Sequence, residues 1–339
     1  MTEGILIGGS PSTGSSVLVN LLNRRPELLA GPETYLFIHP RLYSDWPAYR
    51  RYLLNHSKTG GLKSIGWFAI NGALLLDPFY GWEPLKLKGL VEDFGDFPSF
   101  CGSFFSPAMA KKGATRWVEK SPSNALCMEE FLQHFPSGLA IHTTRDPYDT
   151  VASLVSRGRS PFQAVASYLV NTAFALKMEG QERYHRIRYE DWVADPGQYL
   201  GKCFRFLGLD WDPNILEPPE EEKEVRMKGW LQSEKGKLGA SSLGRFHKME
   251  EGVRDRIRYA ISSIRLRDGY RLRHGIPVSS IRGICDILDY PFQAPGPGFY
   301  RELALEKYRD QFHRLRRFYP FYGNKYPVEI LSHQVIEGV

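Results

Sequence analysis

Cysteine is scarce in this chain, and its placement argues against a structural metal site. The four cysteines, at positions 101, 127, 203 and 285, form no CxxC pair and have no histidines nearby at zinc-ligand spacing. With 339 residues, 42% of them apolar, the chain buries a large core without disulfide staples. We therefore predict a globular protein of a reduced, cytoplasmic compartment.

Long apolar runs are also missing. The most apolar stretch, residues 65–76, is shorter than the roughly 20 residues that cross a bilayer. The first nine residues carry no basic segment of the kind that begins an export signal. We expect no transmembrane segment.

Dense basic runs are absent, although the chain is basic overall. The formal net charge is +6, yet the lysines and arginines are spread along the sequence. Because no base-stacking motif accompanies them, we do not expect a nucleic-acid partner. A small anionic ligand is compatible with this charge distribution.

Short apolar runs alternate with helical periodicities over the first two thirds of the chain. This alternation is typical of a parallel sheet covered by helices. We predict a doubly wound α/β fold, in which each strand is followed by turn residues and then by a helix. The predicted strands are Gly4–Gly8, Trp117–Glu119, Leu139–Thr143 and Arg186–Tyr189.

Two regions interrupt this alternation, and they shape the predicted domain organisation. We assign residues 1–270 to a single α/β domain and residues 271–339 to a C-terminal extension packed on its core. Residues 40–115 are rich in aromatics, glycine and proline, which suits an irregular or helical insertion that forms an acceptor pocket. Residues 217–244 combine prolines, a charge run and glycines, which favours a mobile surface loop.

The first predicted strand leads into a loop of small residues, Gly9–Ser16, and then into a helical stretch. Such a turn aims backbone N–H groups and the positive end of a helix at one point, where a phosphate or a sulfate binds. Gly9 and Gly14 have the GxxxxG spacing of a nucleotide P-loop, but Ser15 stands where the P-loop lysine belongs. An ordinary ATPase or GTPase is therefore disfavoured, and a tight structural turn remains the alternative.

Polar groups also follow two further predicted strands. Residues 119–124, Glu-Lys-Ser-Pro-Ser-Asn, lie at one strand end, and Arg145-Asp146-Pro147 lies at the next. Ligands of open α/β sheets bind at the carboxyl ends of the strands. We therefore expect the three polar strand ends to converge on one crevice.

Together these segments resemble the sulfotransferases that use 3′-phosphoadenosine 5′-phosphosulfate. Four motifs match in order. The loop 9–16 resembles the family's 5′-phosphosulfate loop, and residues 141–147 with Ser153 resemble its 3′-phosphate motif. The third motif is residues 188–192 followed by Asp195-Pro196, and the fourth is residues 244–246. The spacing from the loop to Gly31-Pro32-Glu33-Thr34 is closest to the tyrosylprotein and carbohydrate branch of the family.

The resemblance implies an activity and a set of donor-binding residues. A sulfuryl group would pass by in-line displacement from the donor to an acceptor hydroxyl or, less expectedly, an amine, with adenosine 3′,5′-bisphosphate as the product and no metal required. The donor-binding residues that the resemblance implies are Ser10, Ser12, Thr13, Gly14, Ser15, Ser16, Arg145, Ser153, Tyr189, Ser242 and Arg245. For Tyr189 a core position is an equally good reading.

The resemblance also implies the catalytic groups. Glu33 occupies the family's acidic position, 21 residues after Ser12, and is the candidate general base; a capping or surface carboxylate is the alternative. His39 is the reserve base. Lys120 is placed to neutralise the leaving phosphate, unless it forms only a surface ion pair.

Ser12 departs from the family pattern, which usually has lysine or arginine at this position. The departure keeps two other readings open, a nucleotide-dependent P-loop phosphotransferase and a catalytically degenerate nucleotide-binding member. We expect a small or medium-sized hydroxylated acceptor and allow for a homo-oligomer. The sequence identifies neither the acceptor nor the oligomeric state.

Overall fold

The computed structural model describes residues 4–55, 79–217, 242–316 and 335–338, and it is built around a parallel five-stranded sheet. The strand order is β2-β3-β1-β4-β5, and every neighbouring pair is parallel. The strands of this sheet are β1 (Gly4–Gly9), β2 (Leu28–Ala30), β3 (Arg116–Lys120), β4 (Leu139–Thr144) and β5 (Tyr184–Arg188). A separate antiparallel pair joins β6 (Arg265–Leu266) to β7 (Ile336–Glu337).

The predicted doubly wound α/β architecture is confirmed, with two differences in the strands. All six residues of β1 are buried, as expected for a strand covered by helices on both faces. The three-residue β2 was not predicted, because Leu28–Ala30 is too short to show a strand pattern. The fourth predicted strand was displaced, since Tyr189 begins a helix instead of ending β5.

Helices cover both faces of the sheet. The first six are α1 (Ser15–Asn23), α2 (Pro40–Ser44), α3 (Trp46–Asn55), α4 (Pro84–Asp93), α5 (Phe97–Lys112) and α6 (Met128–His134). The later ones are α7 (Pro147–Val155), α8 (Pro161–Ala175), α9 (Tyr189–Ala194), α10 (Pro196–Phe206), α11 (Glu251–Ser263), α12 (Asp268–Arg273), α13 (Ile281–Leu288) and α14 (Tyr300–Arg316). Short 3₁₀ turns lie at Leu36–Ile38, Pro122–Cys127, Leu176–Met178, Pro213–Leu216 and Phe246–Lys248.

Local sequence explains where several of these helices begin. Asp146, Ser160 and Asp195 each accept a hydrogen bond from a backbone N–H three residues on, and proline follows each of them. An N-cap side chain satisfies a donor that the first turn leaves unpaired, and proline at the next position has none to satisfy.

The two faces of the sheet carry cores of different composition. One core is rich in aromatic rings, among which Phe105 stacks on Trp117 with ring centroids 4.6 Å apart. The other is mostly aliphatic and is formed by α1, α10 and the facing side of the sheet, with Trp192 inside it. Trp117 and Trp192 are both fully buried, so they are core aromatics.

The described part of the 40–115 insertion is helical, from α2 to α5, and contributes the buried rings of Tyr43, Trp46, Tyr80, Phe97, Phe100, Phe104 and Phe105 to the aromatic core. Residues 56–78 of the insertion and residues 218–241 of the predicted mobile loop lie outside the described residues. Beyond residue 270, α14 meets α8 where Glu306 Oε2 accepts a hydrogen bond from Phe162 N at 3.1 Å. Within the described ranges, no helix is long and apolar enough to cross a membrane.

Candidate active site

All five strands of the main sheet end at one edge, and a predicted site residue follows or ends each of them. Glu33 follows β2, Lys120 ends β3, the loop 9–16 follows β1, Arg145 follows β4 and Tyr189 follows β5. The chain builds β3 and β2 on one side of β1 and then β4 and β5 on the other. A crevice for ligands forms at the carboxyl ends of the strands where the strand order reverses in this way.

The loop after β1 holds an unusual backbone shape. Ser12 and Gly14 both have left-handed φ values, 77° and 88°. A Cβ on Gly14 would stand 2.4 Å from Tyr189 Cδ2, so glycine is required there both by conformation and by space. Thr13 fixes the turn, because its hydroxyl donates to Ser10 O and lies 2.7 Å from Thr143 Oγ1 on β4.

Arg145 connects three of the predicted donor-binding segments. Its Nη1 donates to Ser12 O at 3.1 Å and its Nη2 donates to Ser242 O. Its guanidinium also lies 5.1 Å from the ring centroid of Tyr189. The structure therefore brings Ser12, Arg145, Tyr189 and Ser242 together, although they are far apart in the sequence.

Asp149, on the first turn of α7, anchors the segment that contains Ser242 and Arg245. Its Oδ2 accepts from Gly244 N at 2.7 Å and its Oδ1 accepts from Phe246 N at 2.9 Å, while Arg145 Nη2 lies 3.3 Å from Oδ2. Asp149 was not among the residues predicted from the sequence. In the sequence, Asp149 is a carboxylate three residues after the N-cap Asp146, and an acidic residue in the first turn of a helix is common.

Three arginines lie around α7 and give this side of the crevice a positive charge: Arg145 precedes the helix, Arg157 follows it, and Arg245 contacts Ser156 at its end. Burial, with Arg245 and Arg145 nearby, lowers the pKa of Arg157. Ser153, four residues earlier on α7, is buried, and Arg245 Nη1 lies 3.5 Å from Ser156 Oγ. Arg157 was not among the residues predicted from the sequence, although it lies one helical turn beyond Ser153.

On the other side of β1, Glu33 and Lys120 form an ion pair. Lys120 Nζ contacts Glu33 Oε1 and donates to Ser16 Oγ at 3.1 Å, so it links the carboxylate to the start of α1. The Lys120 side chain is 1% exposed and that of Glu33 is 15% exposed. The second carboxylate oxygen of Glu33 accepts a hydrogen bond from the hydroxyl of Tyr35.

A second carboxylate, Glu119, lies directly before Lys120 and is buried among neutral donors. It accepts hydrogen bonds from Thr34 N and Thr34 Oγ1, each at 2.9 Å, from Ser121 Oγ at 2.8 Å, and from Asn124 Nδ2. Burial raises its pKa, against the effect of these donors. Glu119 ties the segment after β2, which carries Glu33, to the end of β3, which carries Lys120.

A family model described as the sulfotransferase family matches residues 4–213, which is more than half of the chain. The chain belongs to the sulfotransferase family. The matched residues run from the start of β1 to the first residue of the 3₁₀ turn that follows α10. They thus include the loop 9–16, Glu33, Lys120, Arg145 and Tyr189.

Two known proteins similar to this sulfotransferase family member are distant from it in sequence. The protein-tyrosine sulfotransferase of Drosophila melanogaster is 24% identical over 64% of this chain and 40% of its own length. The nodulation protein NoeE of Sinorhizobium fredii is 20% identical over 65% of this chain and 53% of its own length. The chain thus spans about half the length of these relatives or less.

A solved structure supports the same fold. The sulfotransferase domain of the Synechococcus PCC 7002 olefin synthase superposes with a TM-score of 0.53 at 18% identity, over 73% of this chain and 88% of that one. At this identity the likeness shows the fold alone. The sulfotransferase fold predicted from the four motifs is therefore confirmed.

Two predicted site residues of this family member have other contacts. His39, the reserve base, precedes α2, and its Nδ1 lies 3.3 Å from Tyr49 Oη. Ser10 is fully buried, and its hydroxyl donates to Pro11 O at 3.3 Å. Ser15 and Ser16 begin α1, where the free N–H groups of a helix lie. The roles of all these residues stay predictions.

Proposed function

We propose that this chain transfers a sulfuryl group from 3′-phosphoadenosine 5′-phosphosulfate to a hydroxyl of a small or medium-sized acceptor and releases adenosine 3′,5′-bisphosphate. The observation that carries the proposal is the arrangement of the sheet edge. A small-residue loop lies at the start of a helix, three arginines lie on one side of it, and a Lys120–Glu33 pair lies on the other. A ligand with two separate anionic groups and an acceptor beside it fits this layout.

The arginine side is suited to the 3′-phosphate. Arginine binds phosphate through several N–H donors at once, and Arg145, Arg157 and Arg245 place positive charge around α7, close enough for Arg145 and Arg245 to influence Arg157. The phosphosulfate would lie on the loop 9–16, where backbone N–H groups and the helix dipole favour an anion. Tyr189, packed on Gly14, borders the same space.

The side of the crevice that carries Lys120 and Glu33 is suited to the transfer reaction. In one displacement the acceptor oxygen forms a bond to sulfur, the bond between sulfur and the bridging phosphate oxygen breaks, and the acceptor proton passes to Glu33. Lys120, which already contacts both the loop and Glu33, would neutralise the charge that develops on the leaving phosphate. Both groups act by position and charge, and no metal takes part in the scheme.

Ser12 carries no charge, so in this proposal Lys120 is the cation that contacts the 5′-phosphosulfate of the donor. The Ser12 hydroxyl is buried without a hydrogen-bond partner among the described residues, and its carbonyl is held by Arg145. The buried Lys120 ammonium donates to Ser16 Oγ at 3.1 Å and so contacts the start of α1 directly.

The test is a transfer assay with donor labelled in the sulfuryl group and a panel of phenols, alcohols and tyrosine-containing peptides, together with detection of adenosine 3′,5′-bisphosphate. Label in an acceptor with equal release of bisphosphate supports the proposal. Phosphoryl transfer from ATP in place of sulfuryl transfer would establish the phosphotransferase reading. Tight binding of the bisphosphate without transfer to any acceptor would establish the degenerate-member reading.

A further inference from the structure

Tyr35 is a buried residue beside the proposed base that the reaction scheme does not use. Its side chain is 6% exposed, and its hydroxyl donates to Glu33 Oε2. Burial, together with the nearby Glu33 carboxylate, raises its pKa well above the ordinary value, so the phenol remains protonated and acts as a donor. Glu33 is therefore held by Tyr35 at one oxygen and by Lys120 at the other.

The backbone of Tyr35 adopts a conformation that aromatic residues rarely take. Its φ is 57°, in the left-handed region, which costs a non-glycine residue free energy. Neighbouring contacts hold this shape: Tyr35 N donates to Ser121 Oγ at 3.1 Å, and Thr34 N donates to the buried Glu119. The strained turn, fixed to the end of β3, brings the phenol of residue 35 back onto the carboxylate of residue 33.

We propose that Tyr35 is a positioning residue that keeps the Glu33 carboxylate in place when Lys120 turns to the donor. The inference rests on the proposed function. Lys120 has two duties in that scheme, since it pairs with Glu33 and also neutralises the leaving phosphate. When the ammonium shifts toward the phosphate, Glu33 loses one of its two donors, and the Tyr35 hydroxyl remains. Tyr35 itself touches neither sulfur nor the acceptor in this role.

Other charged groups lie near this pair and are part of its electrostatics. Lys120 faces Glu33 from β3, Glu119 and Arg159 are close enough to influence Tyr35, and Tyr80 lies near both carboxylates. Of these groups, only the Tyr35 hydroxyl and Lys120 have a hydrogen bond to Glu33 in the described part of the chain. Removing the hydroxyl alone thus isolates its effect.

The test compares Tyr35→Phe with Tyr43→Phe. Tyr43 is an equally buried tyrosine eight residues on, and its hydroxyl donates to Phe37 O at 3.1 Å, away from Glu33. Loss of a hydrogen bond to a charged group lowers kcat of Tyr35→Phe by roughly ten- to a hundredfold, with an unchanged KM for the donor. Tyr43→Phe leaves kcat within about twofold of the wild type.

A second readout does not depend on turnover. The infrared carboxylate band of Glu33 is assigned by its loss in Glu33→Gln and then compared between the variants. Without the phenol donor, one carboxylate oxygen loses a hydrogen bond, so in Tyr35→Phe the band moves in frequency from its wild-type position. In Tyr43→Phe the band keeps its wild-type position.

Each outcome decides one claim. A fall in kcat with an unmoved KM and a shifted band supports the inference. The inference is overturned if Tyr35→Phe behaves like Tyr43→Phe. It is also overturned if Tyr35→Phe loses activity only together with its fold while the Glu33 band keeps its wild-type position. If the wild type transfers no sulfuryl group, the proposed function fails, and the band alone then decides whether Tyr35 holds Glu33.

Discussion

The two sides of the site use buried acids in different ways. On the arginine side, Asp149 is held by two backbone N–H groups and one guanidinium, and it serves to fix the segment that carries Arg245. On the other side, Glu119 is buried among neutral donors, while Glu33 is partly exposed and paired with Lys120. The surroundings of the three carboxylates therefore distinguish a structural acid from a candidate base. Of Asp149, Glu119 and Glu33, only Glu33 is partly exposed to solvent and also paired with a lysine.

The sharpest way to separate the two sides is Glu33→Gln. We expect kcat to fall by about 10²- to 10⁴-fold, because the amide accepts no proton from the acceptor. Affinity for adenosine 3′,5′-bisphosphate, measured by calorimetry, stays near that of the wild type. Glu27→Gln is the matched control, since Glu27 lies at the opposite end of β2 and pairs with Arg25. Full activity of Glu33→Gln would remove Glu33 as the base.

The reciprocal change is Arg157→Gln on the arginine side. A lost charge-assisted contact to phosphate weakens bisphosphate binding by about 10- to 100-fold, and it changes 5′-AMP binding little. Arg186→Gln serves as the control, because Arg186 lies on β5 and pairs with Glu179 at 3.1 Å. Equal losses for both nucleotides would show that Arg157 does not contact the 3′-phosphate.

A smaller effect is expected from His142, a buried group on β4 that belongs to neither side. Burial and the nearby Arg186 lower its pKa from 6.5 to about 3, so the folded state keeps the ring neutral. Its contribution to stability is complete above pH 6.5 and is lost as pH falls toward 3. Between pH 7.5 and pH 5, the wild type should lose about 2 kcal/mol more unfolding free energy than His142→Gln.

Denaturant unfolding at the two pH values measures this difference. Asp146 acts in the opposite direction, since burial raises its pKa to about 6, but it is present in both proteins and cancels in the comparison. The variant retains an acceptor for Tyr184 Oη, which lies 2.7 Å from His142 Nδ1. Identical pH profiles of unfolding free energy for the two proteins would contradict a neutral buried ring at His142. The affinity for the bisphosphate at pH 7.5 should be the same in both proteins.

The arginine side was the easier one to predict from the sequence. Arg145 and Tyr189 each follow a strand within a recognisable motif, and the loop 9–16 has its own glycine spacing. The contacts of Asp149 with Gly244 and Phe246 were not predictable, because nearly a hundred residues separate the partners. Sequence spacing shows which residues leave a strand end, but not which distant segment they hold.

The carboxylate side was less predictable. Glu33 and Lys120 were identified through a family resemblance, whereas their supports were not identified at all. The strand β2 has three residues, and the left-handed turn at Tyr35 has no glycine to mark it. Glu119 looks like one more charged residue in Arg116–Lys120, and only the three-dimensional arrangement shows that four donors converge on it.

The most direct test of the account is calorimetry of adenosine 3′,5′-bisphosphate against 5′-AMP and ATP, with the wild type and Arg145→Ala. We expect the wild type to bind the bisphosphate at least tenfold more tightly than 5′-AMP and Arg145→Ala to lose this preference. Equal affinity of the wild type for all three nucleotides would contradict a site built for a 3′-phosphorylated donor.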